Sequence, residues 1–126
     1  MRAVKLTIPA ALLAAMILAG CVTPVIPIPP PIFELERQDL TQTVVVKSGQ
    51  ASGQHANALI YFLNLTTGEG VITQADEYGK YRSAALKAIE GQQLELWAAR
   101  FADDSPSSII CFVLDQKSPT GWNDCH

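Results

Sequence analysis

The residues best suited to chemistry are three cysteines, Cys21, Cys111 and Cys125, and two histidines, His55 and His126. A thiolate is a nucleophile or a metal ligand, and a neutral imidazole is a base or a ligand. Their spacing does not match a structural zinc site, and the chain has no GxSxG, phosphate-loop or GxGxxG motif. We therefore predict no catalytic residues, no metal and no cofactor, which leaves the thiols as the reactive groups.

The segment that precedes Cys21 has the composition of an export signal. Arg2 and Lys5 come before an uncharged apolar run from Leu6 to Gly20. This run is shorter than the roughly 20 residues that cross a bilayer core, so we interpret it as a cleavable signal. It ends in the tetrapeptide LAGC at positions 18–21, which resembles the lipobox of bacterial lipoproteins.

The lipobox resemblance implies cleavage before Cys21 and acylation of that residue, with palmitate among the lipids. Two or three acyl chains make a stable anchor, because each buried methylene contributes about 0.8 kcal/mol. Val22 stands where an inner-membrane retention signal would have aspartate, which favours the outer membrane in a diderm host. The alternative is an ordinary signal peptide whose cleavage site happens to lie beside a cysteine.

A proline-rich stretch follows the cysteine. Five prolines lie among residues 23–31, which predicts polyproline II conformation and excludes a helix or a central strand there. We predict a signal peptide at 1–20, a lipidated tether at 21–39 and a folded domain at 40–126. At about 3.1 Å per residue, the tether would hold the domain roughly 30 Å from the membrane. A second interpretation makes the stretch a ligand for an aromatic groove.

Residues from about 40 to 115 have period-2 signals and β-branched or apolar runs, separated by turn-forming residues, as is typical of strands. We expect strands at Thr41–Lys47, Ala58–Leu65, Gly70–Ala75, Lys80–Ser83 and Ser107–Asp115. The segment Ala84–Phe101 has apolar residues at helical spacing, but Gly91 opposes a helix and the residues from Gln92 onward alternate. Helix and strand both remain open there from the pattern alone.

The order of these patterns, over Val44–Ala99, resembles the carboxypeptidase regulatory-like domain, a transthyretin-like β-sandwich. Asp76, Gly79 and Tyr81 match its Thr-Asp-x-x-Gly-x-aromatic signature, although Ala75 replaces the usual threonine. The resemblance implies an all-β fold, a small transthyretin-like (immunoglobulin-like) sandwich of about seven strands. It favours a strand from Gln92 onward.

The three signature residues have physical roles that agree with the resemblance. Gly79 can take a positive φ, and the Asp76 carboxylate can accept backbone N–H groups in the same turn. Tyr81 should bury its ring while its hydroxyl reaches the rim of the sandwich.

With Cys21 acylated, Cys111 and Cys125 form an even pair in an oxidising compartment. We expect a disulfide that fastens the C-terminal tail and adds about 3 kcal/mol by closing a loop of about 15 residues. Two free thiols, or capture of Cys125 by another protein, are the alternatives.

Aromatic residues supply the candidate binding face. If Leu94, Leu96 and Ala98 face the core, Trp97 and Phe101 lie on the outer surface, where aromatic rings bind sugars or anchor proteins. Trp122 completes this candidate face; we expect the tail that carries it to cover the other two rings.

Composition restricts the function further. The chain has 9 basic and 12 acidic residues and a net charge of −3, so it lacks the clustered cations that nucleic-acid binding needs. We predict a lipid-anchored protein, not an enzyme, whose sandwich is a structural or protein-interaction module in an envelope assembly. The alternative is a carbohydrate-binding module that uses the exposed aromatic residues.

Overall fold

Alternating apolar residues form strands throughout the part of the chain that the structure describes. The structure, a computed structural model, describes residues 28–100 and 106–125. Its strands are β1 Glu34–Gln38, β2 Thr43–Lys47, β3 Leu59–Asn64, β4 Gly70–Gln74, β5 Leu86–Lys87, β6 Gln93–Ala99, β7 Ile110–Leu114 and β8 Trp122–Asp124. A three-stranded sheet has the order β1-β2-β5, and a five-stranded sheet has the order β4-β3-β6-β7-β8. Every pairing between these strands is antiparallel, which confirms the predicted all-β sandwich, with eight described strands instead of about seven.

The core lies between the two sheets, because alternate residues of each strand point to the same side. The five-stranded sheet contributes Ile60, Phe62, Leu94, Leu96, Ala98, Phe112 and Leu114, and the other sheet contributes Val44, Val46 and Leu86. All of these side chains are buried, and burial of apolar area stabilises the fold by about 25 cal/mol per Å².

One polar side chain lies in this core and links the two sheets. Asn64 is fully buried at the end of β3; its amide nitrogen donates to the Lys87 carbonyl (3.0 Å) and to the Gln92 side-chain oxygen (2.9 Å). Its amide oxygen accepts the N–H groups of Thr66 (3.0 Å) and Thr67 (3.2 Å). A buried amide is tolerated when all its donors and acceptors are paired, so Asn64 connects β3 to β5 and to the turn that follows β3.

The folded domain begins earlier than the predicted boundary at residue 40. Strand β1, at Glu34–Gln38, lies inside the predicted tether and pairs with β2 along its whole length. Ile28 is only 3% exposed and belongs to the core. The prolines around it lack backbone donors, but residues 28–33 lie outside the strands and need no ladder bonds, so Ile28 can pack on the core.

The described part of the segment that was open between helix and strand contains strands β5 and β6 and no helix. Gly91 has φ of +84° in the turn that precedes β6, and β6 then alternates between buried and half-buried residues. The strand predicted at Lys80–Ser83 is reduced to one isolated bridge between Arg82 and Lys47. Strand β8, in the predicted tail, was not expected.

Candidate interaction site on the outer sheet face

The disulfide joins the two last strands of the five-stranded sheet. Cys111 and Cys125 are bonded, with their Cα atoms 5.5 Å apart. The Cys125 N–H donates to the Cys111 carbonyl (3.2 Å), so the two residues form a directly opposed pair. The predicted bridge is confirmed, and it fastens β8 to β7.

Trp122, on β8, points into the sandwich. Its ring centroid lies 5.2 Å from that of Phe33 and 5.5 Å from that of Phe112. It opposes the buried Leu114 in the β7–β8 pairing. Trp97 points to the other side of the same sheet, so the expectation that the tail would cover Trp97 with Trp122 is wrong, and the structure does not bring these two rings into one face. Strand parity is the reason, since residues that pair with an inward residue also point inward.

Trp97 instead meets Tyr61 on the outer face. The two residues oppose each other in the β3–β6 pairing, their ring centroids are 5.3 Å apart, and the ring planes differ by 1°. Ile72 of β4 opposes Tyr61 on its other side and is 64% exposed. Leu63, two residues along β3, shares this face. We call Tyr61, Leu63, Ile72 and Trp97 the Tyr61–Trp97 patch.

Of these four residues the sequence identified only Trp97. The run ALIYFLNL at 58–65 is apolar on both faces of the strand, yet β3 alternates between fully buried and half-buried residues. The apolar residues on the second face of β3 were the feature of the sequence that could have indicated the patch. They look like core residues in the sequence, because periodicity cannot show whether a second layer covers them.

A groove with a volume of about 270 Å³ runs beside the stacked rings. It is lined by Tyr61, Phe62, Leu63, Gly70, Val71, Ile72 and Trp97. A Cβ atom on Gly70 would lie 3.2 Å from Cδ1 of Leu63 and 3.1 Å from the Phe62 carbonyl oxygen, so glycine lets Leu63 lie close to β4. Among these described residues, the Tyr61 hydroxyl and the Trp97 indole N–H are the polar side-chain groups and the rest of the lining is apolar, so the groove suits an apolar ligand.

The signature turn has a structural role. The Asp76 carboxylate accepts the N–H groups of Tyr78 and Lys80, both at 2.9 Å, as expected. Gly79 has the expected positive φ, +80°, and a Cβ there would lie 1.9 Å from the Ser52 carbonyl oxygen. The close approach of two backbones therefore requires glycine independently of φ.

Tyr81 belongs to the core and contacts the segment before β1. It is 8% exposed, and its hydroxyl donates to the Ile32 carbonyl (2.7 Å), which holds the segment before β1 against the core. Burial raises the pKa of Tyr81, since desolvation disfavours the phenolate. The ring is buried as predicted, and its hydroxyl is bonded to backbone at the rim.

His55 also binds the segment before β1. It is 3% exposed, and its Nε2 lies 2.8 Å from the Pro29 carbonyl oxygen, while its Nδ1 lies 2.8 Å from the Ser52 hydroxyl. A carbonyl can only accept, so Nε2 donates to Pro29, and Nδ1 is paired with the Ser52 hydroxyl. Both ring nitrogens are used within the fold.

Three of the predicted or considered residues, Cys21, Phe101 and His126, lie outside the described residues. Within residues 28–100 and 106–125, no group of three or more His, Cys, Asp or Glu side chains could hold a metal ion. The same residues contain no helix that is long and apolar enough to span a bilayer.

Comparison with known proteins finds no family model, no curated protein and no solved structure that matches this chain. The resemblance to the carboxypeptidase regulatory-like domain and to the lipobox therefore stays a prediction. What the chain does has to follow from its own geometry.

Proposed function

We propose that this chain is a lipid-anchored envelope protein whose sandwich binds another envelope protein through the Tyr61–Trp97 patch. The anchoring half of the proposal rests on the LAGC tetrapeptide and the apolar segment before it. The binding half rests on the row of apolar side chains that crosses three neighbouring strands of the outer face.

That row is the observation that supports binding best. In an antiparallel sandwich one face of each sheet packs on the core and the other normally carries polar residues. Here Ile72, Tyr61 and Trp97 oppose one another across β4, β3 and β6. Contiguous exposed apolar side chains mark interaction sites, and Trp and Tyr are the residues that most often dominate protein interfaces.

The residues beside the Tyr61–Trp97 patch are also those expected at a site that binds a protein. Glu95 opposes Leu63 on the same face, and Gln93 lies two residues further along β6. Both side chains are half-buried. An apolar centre with polar residues at its margin is the usual composition of a protein interface. We therefore expect a partner with a complementary apolar surface.

A carbohydrate ligand is the second candidate, because stacked aromatic rings are also sugar platforms. Sugars need several hydrogen-bonding side chains beside the ring, and the lining of the described groove offers two such groups, the Tyr61 hydroxyl and the Trp97 indole N–H. In addition, Tyr61 and Trp97 each turn a ring face to the other, which removes those faces from sugar stacking. The groove favours the protein partner over the sugar.

The position of Ile28 in the core limits the distance between the proposed anchor at Cys21 and the folded body. Because Ile28 is part of the core, seven Cα–Cα steps separate the folded body from Cys21. Extended chain spans at most about 3.5 Å per residue, so the folded body would start within about 25 Å of the anchored residue. The partner that we propose would thus be a protein close to the membrane surface.

Photo-crosslinking in native membranes tests this proposal. A photoreactive residue at Glu95, beside the patch, should give an adduct with one other protein. The same residue at Leu40, which is fully exposed in the turn between β1 and β2, is the matched control and should give none. Replacement of a hot-spot tryptophan weakens binding by 2 kcal/mol or more, so Trp97→Ala should lower the adduct about 30-fold.

Three results would contradict the binding proposal: no adduct from Glu95, equal adducts from Glu95 and Leu40, or an adduct that Trp97→Ala leaves unchanged. An adduct with polysaccharide in place of protein would support the carbohydrate alternative. The Trp97→Ala chain should remain folded, which its circular dichroism spectrum checks.

A further inference from the structure

Strand β4 is an end strand of the five-stranded sheet: no strand within residues 28–100 and 106–125 pairs with its outer edge, and nothing in its own sequence protects that edge. Its residues Gly70–Gln74 are GVITQ, without a charged residue or proline. Proteins usually protect exposed edges with lysine, proline, bulges or a covering segment, because an open edge can pair with another strand. Alternate residues of β4, at 70, 72 and 74, are exposed.

The hydrogen-bond pattern shows which backbone groups the free edge presents. Ala75 donates to the Ala58 carbonyl and Asn64 donates to the Glu69 carbonyl, each at 2.8 Å, and both bonds belong to the β3–β4 register. Bonded and non-bonded pairs alternate along an antiparallel ladder. Val71 and Thr73 therefore bond to β3, whereas the N–H and C=O groups of residues 70, 72 and 74 point away from it.

We propose that this edge pairs with the same edge of a second copy of the chain. Ile72 is the middle residue of the five-residue strand and belongs to the outward-pointing set. A twofold axis through Ile72 then sets Ile72 against the partner's Ile72 and Gly70 against the partner's Gln74. Every outward N–H and C=O of β4 is paired, and the two five-stranded sheets become one sheet of ten.

The side chains are compatible with this self-pairing. Glu69 comes to oppose the partner's Ala75, so no two acidic residues face each other across the seam. Gly70 has no side chain and leaves room for the partner's Gln74. The two Ile72 side chains, each 64% exposed alone, meet on the outer face and cover one another.

A five-residue edge pair is smaller than the roughly 1,200–2,000 Å² that a stable interface buries, so the dimer should be weak and needs covalent trapping. The natural bridge shows the suitable geometry: Cys111 and Cys125 are a hydrogen-bonded pair with Cα atoms 5.5 Å apart. The twofold pairing places two copies of residue 72 in the same relation. Ile72→Cys in the full chain should therefore cross-link under mild oxidation.

The experiment is mild oxidation of membranes that carry the Ile72→Cys chain, followed by non-reducing electrophoresis. We expect most of the chain at twice its mass, and a return to monomer on reduction. Gln74→Cys is the matched control: it lies on the same edge and is exposed, but its twofold mate is Gly70, so it should stay monomeric. The unsubstituted chain reports any contribution from the natural cysteines.

A second variant separates pairing from chance collision. The Gln74 N–H points to the free edge, so Gln74→Pro removes a donor from the seam and none from the β3–β4 ladder. Added to Ile72→Cys, it should abolish the cross-link while the circular dichroism spectrum stays unchanged. A monomeric Ile72→Cys chain, equal cross-linking through Gln74→Cys, or an adduct with a different protein would each overturn the proposal. Ile72 belongs to both proposed surfaces, but the Glu95 adduct reports only the binding of another protein and the Ile72→Cys dimer reports only the edge pairing, so the two proposals fail separately.

Discussion

Trp97 and Trp122 lie on opposite faces of the same sheet. Trp97 stacks on Tyr61 on the outer face, with ring centroids 5.3 Å apart, and Trp122 packs against Phe33 and Phe112 on the inner face. The C-terminal strand therefore completes the core and leaves the outer face open. One indole serves stability and the other is available for binding.

This separation predicts unequal effects of two alanine substitutions. Trp122→Ala should lower the free energy of unfolding by about 2–3 kcal/mol, because it empties an aromatic cluster at the edge of the core. Trp97→Ala should lower it by about 1 kcal/mol, the usual contribution of a cross-strand aromatic pair. Urea unfolding followed by circular dichroism measures both. Equal losses would contradict the assignment of the two rings to different faces.

The disulfide should hold β8 in place. Reduction, or the paired variant Cys111→Ser/Cys125→Ser, should lower the free energy of unfolding by about 3 kcal/mol, as expected for a loop of about 15 residues. Trp122 emission should shift to longer wavelength, since β8 has only three residues and pairs with β7 alone. Alkylation of the denatured, unreduced chain is the check: modification of Cys111 and Cys125 would show that the bridge is absent.

Two glycines with the same backbone conformation should respond differently to substitution. Gly79 has φ of +80° and Gly91 has φ of +84°. A Cβ at Gly79 would lie 1.9 Å from the Ser52 carbonyl oxygen, whereas one at Gly91 meets nothing within 4 Å. Gly91→Ala should lower the free energy of unfolding by about 1 kcal/mol, the backbone strain alone. Gly79→Ala should lower it by at least about 3 kcal/mol, because a backbone clash adds to that strain. Similar losses in urea unfolding would refute the close approach of these two backbones.

Tyr81 should make the fold sensitive to alkali. Burial raises its pKa in the folded chain, while the unfolded value is about 10. Above pH ~10 the unfolded chain loses this proton and the folded chain keeps it, so the free energy of unfolding should fall by up to about 1.4 kcal/mol per pH unit. Tyr81→Phe should reduce that slope. At neutral pH it should lower stability by about 1 kcal/mol through the lost bond to Ile32.

The control for this alkaline effect is Tyr78→Phe. Tyr78 is 63% exposed, and its hydroxyl has no hydrogen bond to the described residues. The Tyr78→Phe chain should keep the alkaline slope of the natural chain. If both variants lose the slope equally, the alkaline sensitivity does not come from Tyr81.

The anchoring proposal predicts the behaviour of Cys21→Ser. The variant should incorporate no radiolabelled palmitate, because serine lacks the thiol that accepts the lipid. It should accumulate as uncut precursor or appear in the soluble fraction. Cys125→Ser, which leaves the tetrapeptide intact, should incorporate label normally. Labelling of Cys21→Ser at the natural level would exclude lipidation at this residue.

Local chemistry in the sequence was enough to determine most strands and the signature turn. The β-branched or apolar runs at β2, β3 and β7 and the alternation at β6 are properties of neighbouring residues, and so are the Asp76 carboxylate and the Gly79 backbone that shape their turn. The cysteine count was enough to predict the bridge. In each case the residues that carry the signal are close in the chain or chemically distinctive.

Tertiary structure decided which face of each strand is covered. The apolar side chains of Tyr61 and Phe62 look equivalent in the sequence, yet one lies on the open face and the other in the core. Trp122 points inward because it opposes Leu114, and β1 pairs with β2 although it follows a proline-rich segment. These outcomes depend on the register between strands and on how the two sheets pack, and a shift of one residue exchanges the two faces. No local pattern carries that information, so the outer patch became visible only when the strands were paired.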